Sequence, residues 1–250
     1  SEMNDNHDST LLILNQHEGQ FTQNQPQGLN LEGLALDQIR PTLGGNIFLI
    51  GHRSDDPLTQ QIEVWMTTPD GQSLWRQILA LPGQSLLSHN QSALDQNDNL
   101  VLTGQYHMGD QGSQILMAKI STQGEIPWFQ LLPQSLQGAS DKIGDLAIGS
   151  DNAIYLLGDR SSSQTGSDIA TFKFSATGQL VYEARFSEPG TTHQSVQSIE
   201  YTSPESLMLT GQTQLDDGTR MITLKQSPTL TSPNLLPSGQ WDPSPFEGTL

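Results

Sequence analysis

Cysteine is absent from the 250 residues, which excludes disulfide scaffolds and thiolate metal sites. Basic residues are scarce. Ten Lys and Arg, scattered without a cluster, stand against 27 Asp and Glu, for a formal net charge of −17. Nucleic acids and anionic membranes are bound by neutralising phosphate, so this balance argues against both as partners. Solubility is the plainest reading of the acidity. No apolar run approaches the roughly 18 residues of a membrane-crossing helix, and insertion is not expected. Helical periodicity is missing from every stretch long enough to matter. So is the Gly-x-Ser-x-Gly elbow that would present an activated serine. No leader peptide is visible either, and the polar start at residues 1–5 reads as a processed or trimmed end.

What is present is a repeat. Four apolar runs end in glycine at Gly51, Gly104, Gly158 and Gly211, in steps of 53, 54 and 53 residues. After each comes a polar loop and a second run with period-two alternation; the first three repeats then add a turn with Gly71, Gly124 or Gly178 and a third run. A turn glycine supplies the positive φ that a tight hairpin needs. Before each glycine-ended run lies a shorter one rich in small residues, such as Leu34-Ala35-Leu36-Asp37 and Ser92-Ala93-Leu94-Asp95, suited to a crowded innermost strand. The unit is therefore four strands, a to d, with glycine closing b. A four-stranded antiparallel unit repeated about every 53 residues is the blade of an all-β β-propeller.

The number of blades is four to five. An extra c–d hairpin at the N-terminus, with Gly19 lying 52 residues before Gly71, makes five hairpins against four a–b pairs. Prolines 237, 243 and 245 argue against a further central strand in the tail. The domain reading is a disordered linker over 1–8, the propeller over 9–236, and a Pro-rich tail or linker over 237–250. The mismatch favours a segment of a longer propeller over a ring that closes unusually. The N-terminal hairpin is expected to pair with the fourth repeat near residues 220–225, closing a short ring, or with a second copy or an absent flanking segment.

The phrase Asp-x-x-Asn-apolar-x-apolar-Thr-Gly, carried by Asp95, Asn99, Thr103 and Gly104 with Lys119, Gly124 and Trp128, resembles the bacterial propeller repeats called SBBP. The third repeat matches at Asp151, Gly158, Asp168, Ile169, Lys173, Gly178 and Tyr182, and the pyrroloquinoline-quinone propeller repeats are similar more loosely. The resemblance implies an extracytoplasmic protein (periplasmic, cell-surface or secreted) whose propeller serves binding, adhesion or display. It implies no catalytic residues, and the tryptophan pattern of quinoprotein dehydrogenases is missing, so no cofactor is expected.

The loops joining b to c gather on one face of a propeller, and here they are rich in chemistry. His52, Arg53, Asp55, Tyr106, His107, Asp159 and Arg160 are the candidate ligand-binding residues, with His89 and His193 on the d–a loops of the same face. Imidazole, guanidinium, phenol and carboxylate together suit a glycan or peptide. Solvated charges pairing across blades are the competing reading. Asp95-Gln96-Asn97-Asp98-Asn99 spaces oxygens as calcium sites do but lacks the glycine and distal glutamate of an EF-hand, so a turn is favoured and no metal is expected. Thr68-Pro69-Asp70-Gly71 resembles a sialidase Asp-box with its glycine one place early. The leading function is a non-catalytic ligand- or protein-binding module of a larger secreted or cell-surface protein. A glycan-cleaving enzyme using His52, His107 and Asp55 or Asp159 is the second reading, and a scaffold subunit the third.

Overall fold

The computed structural model describes residues 13–17, 20–24, 33–56, 59–80, 86–107, 110, 112–132, 141–162, 166–186, 193–203, 206–215, 218–226 and 246–249. They form strands and turns, with no α-helix among the described residues. After a hairpin of β1 (Ile13–His17) and β2 (Gln20–Asn24) come four antiparallel four-stranded sheets. The first is β3 (Leu34–Pro41), β4 (Ile47–Asp56), β5 (Thr59–Thr67) and β6 (Ser73–Leu79). The second is β7 (Leu86–Leu94), β8 (Leu100–His107), β9 (Ser113–Ile120) and β10 (Trp128–Leu131). The third is β11 (Lys142–Ile148), β12 (Ile154–Ser162), β13 (Gly166–Phe174) and β14 (Leu180–Phe186). The fourth is β15 (His193–Ser203), β16 (Ser206–Leu215), β17 (Gly218–Gln226) and β18 (Phe246–Thr249). These are sheets of the kind that make propeller blades. Single parallel bridges, Gln60 to Leu86 and Ser167 to His193, join the first sheet to the second and the third to the fourth.

The tail at 237–250 thus contributes a strand. β18 pairs with β17 over Thr223–Gln226, the edge where the N-terminal hairpin was expected. That expectation is corrected: β1 and β2 pair with each other, and the edge of β17 carries β18.

A strand buried on one face alternates polar and apolar, whereas one buried on both reads as a continuous apolar run. Leu100-Val101-Leu102 is such a run. Leu100 and Leu102 pack with Phe48, Ile50, Val64 and Met66 of the first sheet, while Val101 packs with Leu156 and Phe172 of the third. Ile154 and Leu156 likewise face the second sheet, and Tyr155 and Leu157 face Leu207, Leu209 and Ile222 of the fourth. Each fully buried side chain of this size contributes about 1.5–3 kcal/mol, so the seams between sheets are where stability accumulates.

The four regularly spaced glycines occupy one position in all four sheets, opposite a β-bulge. Strand a skips a residue at Asp37, Asn90, Gly144 and Gln197, immediately after the partner of each glycine. A bulge pushes the a-strand backbone toward its neighbour. A Cβ at Gly158 would stand 2.5 Å from the Lys142 carbonyl oxygen, and one at Gly211 would stand 2.6 Å from that of Ser195. One at Gly51 would meet the carbonyl oxygen of Ala35. The glycine does not end strand b, as the sequence suggested; β4, β8, β12 and β16 all run on past it.

Six turns at the opposite end share one construction. In the a–b turns beginning at Thr42, Asp95 and Gly149 and the c–d turns beginning at Thr68, Ser121 and Ser175, the first N–H donates to the fifth residue's carbonyl and the fourth N–H to the first carbonyl. The fourth residue has positive φ: Gly45, Gly71, Gly124 and Gly178, but Asp98 at 60° and Asn152 at 61°. These two exceptions have a reason. Asp98 accepts hydrogen bonds from Leu43 N (3.0 Å) and Gly44 N (3.3 Å) in the preceding sheet's turn, and Asn152 Oδ1 accepts from Gln96 N at 2.8 Å. Replacing Asp98 with alanine is expected to cost about 1–2 kcal/mol in a urea titration, through the left-handed backbone and two lost acceptors. Asp98→Gly relieves the backbone and should cost less, and Asp98→Asn least.

Outer strands add a second tie. Trp75 Nε1 donates to Thr122 O at 2.9 Å and Gln77 Nε2 to Gly124 O at 2.6 Å, in the next sheet's c–d turn. Trp128 and Gln130 repeat this onto Ala176 O and Gly178 O, at 3.4 and 2.8 Å. The indoles cover the turn glycines: a Cβ on Gly124 would lie 3.0 Å from Trp75, and one on Gly178 2.9 Å from Trp128.

Candidate functional site

Because strand b overruns its glycine, the candidate residues sit on strands and not on b–c loops. His52, Arg53 and Asp55 belong to β4, Tyr106 and His107 to β8, Asp159 and Arg160 to β12. His89 and His193, expected on d–a loops, lie in β7 and at the start of β15. The side chains of Asp55 and His89 lie outside the described residues, as do the loop tips at 57–58, 108–109, 163–165 and 216–217.

The glycine fixes the register, so equivalent side chains can be compared. One residue past it stand His52, Gln105, Asp159 and Gln212; two past it stand Arg53, Tyr106, Arg160 and Thr213. His52 Nδ1 lies 3.0 Å from Oδ1 of Asp37, the bulged residue of β3, and both side chains keep about a quarter to a third of their surface (30% and 24%). Gln105 Nε2 donates to Asp141 O at 2.7 Å, and Asp159 Oδ1 accepts from Val196 N at 2.9 Å. These two positions therefore tie a sheet to the innermost strand region of the next. A neighbouring belt does the same: Gln38 Nε2 donates to Gln91 Oε1 (3.1 Å), Gln91 Nε2 to Gly144 O (3.2 Å), and Ile199 N to Asp145 Oδ2 (2.9 Å).

Both arginines are paired with carboxylates, the competing reading of their charges. Glu63, fully buried on β5, accepts from Arg53 Nε at 2.8 Å and from Arg76 Nη2 at 2.5 Å and Nε at 3.0 Å. Trp65 Nε1 donates to the same carboxylate at 3.2 Å, and Arg76 lies over the Trp65 ring at 5.2 Å. Burial alone would raise the Glu63 pKa; hydrogen bonds from Arg76 and Arg53, with their charges, outweigh it and hold the group below its usual value. Arg160, only 4% exposed, pairs with Asp141 at 3.2 Å and Glu183 at 3.7 Å and lies over the Phe172 ring. Glu63, Asp37, Asp141 and Glu183 are the partners that sequence reasoning missed. A lone charge inside the apolar run Ile62-Glu63-Val64-Trp65-Met66 was the available signal for Glu63.

The calcium-like stretch is a turn. Asp95 Oδ1 accepts from Asn97 N and Asn99 N, at 2.8 and 2.9 Å, and Oδ2 holds Lys119 Nζ at 2.6 Å. The Asp-box-like stretch is the c–d turn of the first sheet, with Thr68 Oγ1 donating to Asp70.

Among the described carboxyl groups of the site, Asp159 is the one with a strongly raised pKa. Burial pushes its pKa up to about 6, against the lowering effects of the Val196 hydrogen bond and the Lys142 charge. A carboxyl with a raised folded-state value favours folding below its unfolded value, near 3.8, and forfeits that contribution as pH rises through about 6. Asp159→Asn keeps an acceptor for Val196 and removes the charge. It is expected to raise stability at pH 7.5 by on the order of 1–2 kcal/mol and to change nothing at pH 3, in paired thermal melts.

No family model matches the chain, and no curated protein matches it. Among solved structures, it is similar to a protein of unknown function from Bacteroides caccae, with TM-score 0.47 and 11% identity over 80% of this chain and 59% of that one. It is also similar to a subtype N11 neuraminidase-like protein of A/flat-faced bat/Peru/033/2010 (H18N11), with TM-score 0.44 and 11% identity over 90% and 68% of the two chains. For a glucose dehydrogenase the values are 0.34 and 11%, over 76% and 81%. The chain spans about three-fifths of the Bacteroides protein. Likenesses of this degree carry no argument about substrate or activity.

Proposed function

We propose that the chain is a non-catalytic, ligand- or protein-binding β-propeller module of a larger secreted or cell-surface protein, binding at the b–c end of its blades. The observation that carries the reading is the contrast between the two ends of the sheets. At one end six turns share one construction, the three a–b turns bonded turn to turn and the c–d turns at 121–125 and 175–179 tied to the outer strand of the preceding sheet, an arrangement that holds a scaffold constant. At the other, the position after each glycine changes from imidazole to amide to carboxylate to amide. A fixed scaffold with varied chemistry at one end is how binding surfaces are presented. His52, Tyr106, His107 and Asp159, all partly exposed, are the proposed ligand contacts, with Asp55 beside them; Arg53 and Arg160 hold the strands that carry them. The extracytoplasmic setting rests on the SBBP-like phrase, and a protein or glycan is the proposed partner.

A glycan-cleaving reading draws on one observation, the raised pKa of Asp159, which suits a general acid. Glycan and peptide arrays distinguish the two. The binding reading predicts retained hits that weaken in His52→Ala and Tyr106→Ala and persist in Gly44→Ala at the opposite end. Release of shortened glycans, abolished by Asp159→Asn, would instead establish the enzyme.

A further inference from the structure

The two outward faces of the stack differ. On the fourth sheet, Ser198, Glu200, Thr223 and Lys225 are exposed, with Met221 the only large apolar side chain among the exposed described residues there. On the first sheet the outward face carries apolar side chains around the Glu63, Arg53 and Arg76 group, which shares it. Ile39 pairs with Leu49, Leu49 with Trp65 and Trp65 with Arg76, so these side chains share a face. Leu34, Leu49 and Trp65 are buried there at 0, 1 and 6% exposure, in a cluster whose described members all come from this one sheet. Ile39, Leu74 and Ile78 at its margins remain 44, 47 and 41% exposed. Gly71 in the c–d turn is buried as well. Gly124 and Gly178, its counterparts, owe their cover to the tryptophan of the preceding sheet.

We propose that the N-terminal hairpin β1–β2 seats on this outward face as a half-blade, preceding the first sheet as that sheet precedes the second. Register carries the argument. In the first sheet the turn closes at Thr67–Ser73 and the next pair is Met66–Trp75; in the third it closes at Phe174–Leu180 and the next pair is Lys173–Tyr182. In the hairpin, His17–Gln20 is followed by Gln16–Phe21. Counted in cross-strand pairs from the closing pair, Phe21 holds the aromatic position and Gln23, two residues on, that of Gln77 and Gln130; strand d of the hairpin lacks the residue skipped at Leu74 and Val181, and both positions lie two residues nearer Gly19 than their counterparts lie to Gly71 and Gly124. Aromatic-x-Gln at this register is what ties one sheet to the next sheet's turn, and the turn it would meet here contains Gly71. The connection fits too. Nine residues link β2 to β3, against six, ten and six in the other d-to-a links. The polar outward face of the fourth sheet offers the hairpin no comparable apolar seat.

Thiol cross-linking in the full chain tests this, since the protein has no cysteine of its own. Gln23→Cys is combined with Asp70→Cys in the first sheet's turn, with Lys225→Cys on the fourth sheet, or with Thr177→Cys in the third sheet's turn. A short bismaleimide is added, and products are read by mass spectrometry. The proposal predicts that an intramolecular product dominates only for the Asp70 pair, and that Phe21→Ala added to that pair abolishes most of it while circular dichroism retains the β spectrum. A dominant product with Lys225, a product joining two chains, or no product with any pair would overturn it.

Discussion

Replacing Glu63 with alanine is expected to be the most damaging single change in the chain, costing about 3–5 kcal/mol and lowering the melting temperature by on the order of 10 °C. The carboxylate is completely buried and is the shared acceptor of Arg53, Arg76 and the Trp65 indole. Its removal leaves two guanidinium groups without the anion that offsets their desolvation. Such a pair stabilises weakly against a well-packed apolar substitute but strongly against a broken one. The triple change Arg53→Met, Glu63→Leu, Arg76→Met should therefore recover most of the loss. The pH dependence has a definite sign. Because the folded state holds this carboxyl below its usual value near 4.5, its contribution is full above that value and is lost as pH falls through the folded one. The alanine variant should show a flatter acid limb. A loss under about 1 kcal/mol at neutral pH would place the triad among surface pairs of little consequence.

The second large effect is at the repeated glycine. Gly158→Ala is expected to cost about 2–4 kcal/mol, because its Cβ would stand 2.5 Å from a backbone oxygen and 3.1 Å from Ile143 Cδ1, and a backbone cannot step aside as a side chain can. Gly211→Ala should behave alike, against Ser195 O at 2.6 Å. Gly44→Ala is the control: its Cβ would meet nothing nearer than 3.8 Å, and its effect should stay within about 0.5 kcal/mol. Urea denaturation of the three variants checks the ranking. Equal losses at all three would mean that chain entropy, and not the bulge, explains the glycines.

These two sites also show what a sequence discloses and what it hides. Period-two alternation and the 53-residue beat made the strands and their order legible, because both are local and repeat four times. The glycine was visible but its meaning was not. It read as a stop, whereas it is a gap left for a bulge in the partner strand, and a bulge involves residues 14 to 15 positions away with no periodic signature of its own. That one misreading moved His52, Arg53, Asp159 and Arg160 from strands into loops. It also made their charges look available, when Arg53 and Arg160 are bonded across strands to Glu63, Asp141 and Glu183. β18 was hidden for a different reason. Four residues following a proline-rich stretch are too short to show alternation, and only the open edge of β17 defines them as a strand. The aromatic-x-Gln ties were in plain sight at a fixed six-residue offset from Gly71 and Gly124, but their acceptors lie 47 or 48 residues away.

The account turns on successive sheets stacking in chain order, each locked by an outer-strand aromatic onto the next sheet's turn. The direct measurement is nuclear Overhauser contact from the Trp75 indole to the α protons of Gly124, and from Trp128 to those of Gly178, assigned with single tryptophan substitutions. Both contacts should appear, with the glycine α protons shifted upfield by the ring above them. If the Trp75 and Trp128 indoles show no contact with those glycines and exchange freely with solvent, the sheets are not stacked as blades and the account fails.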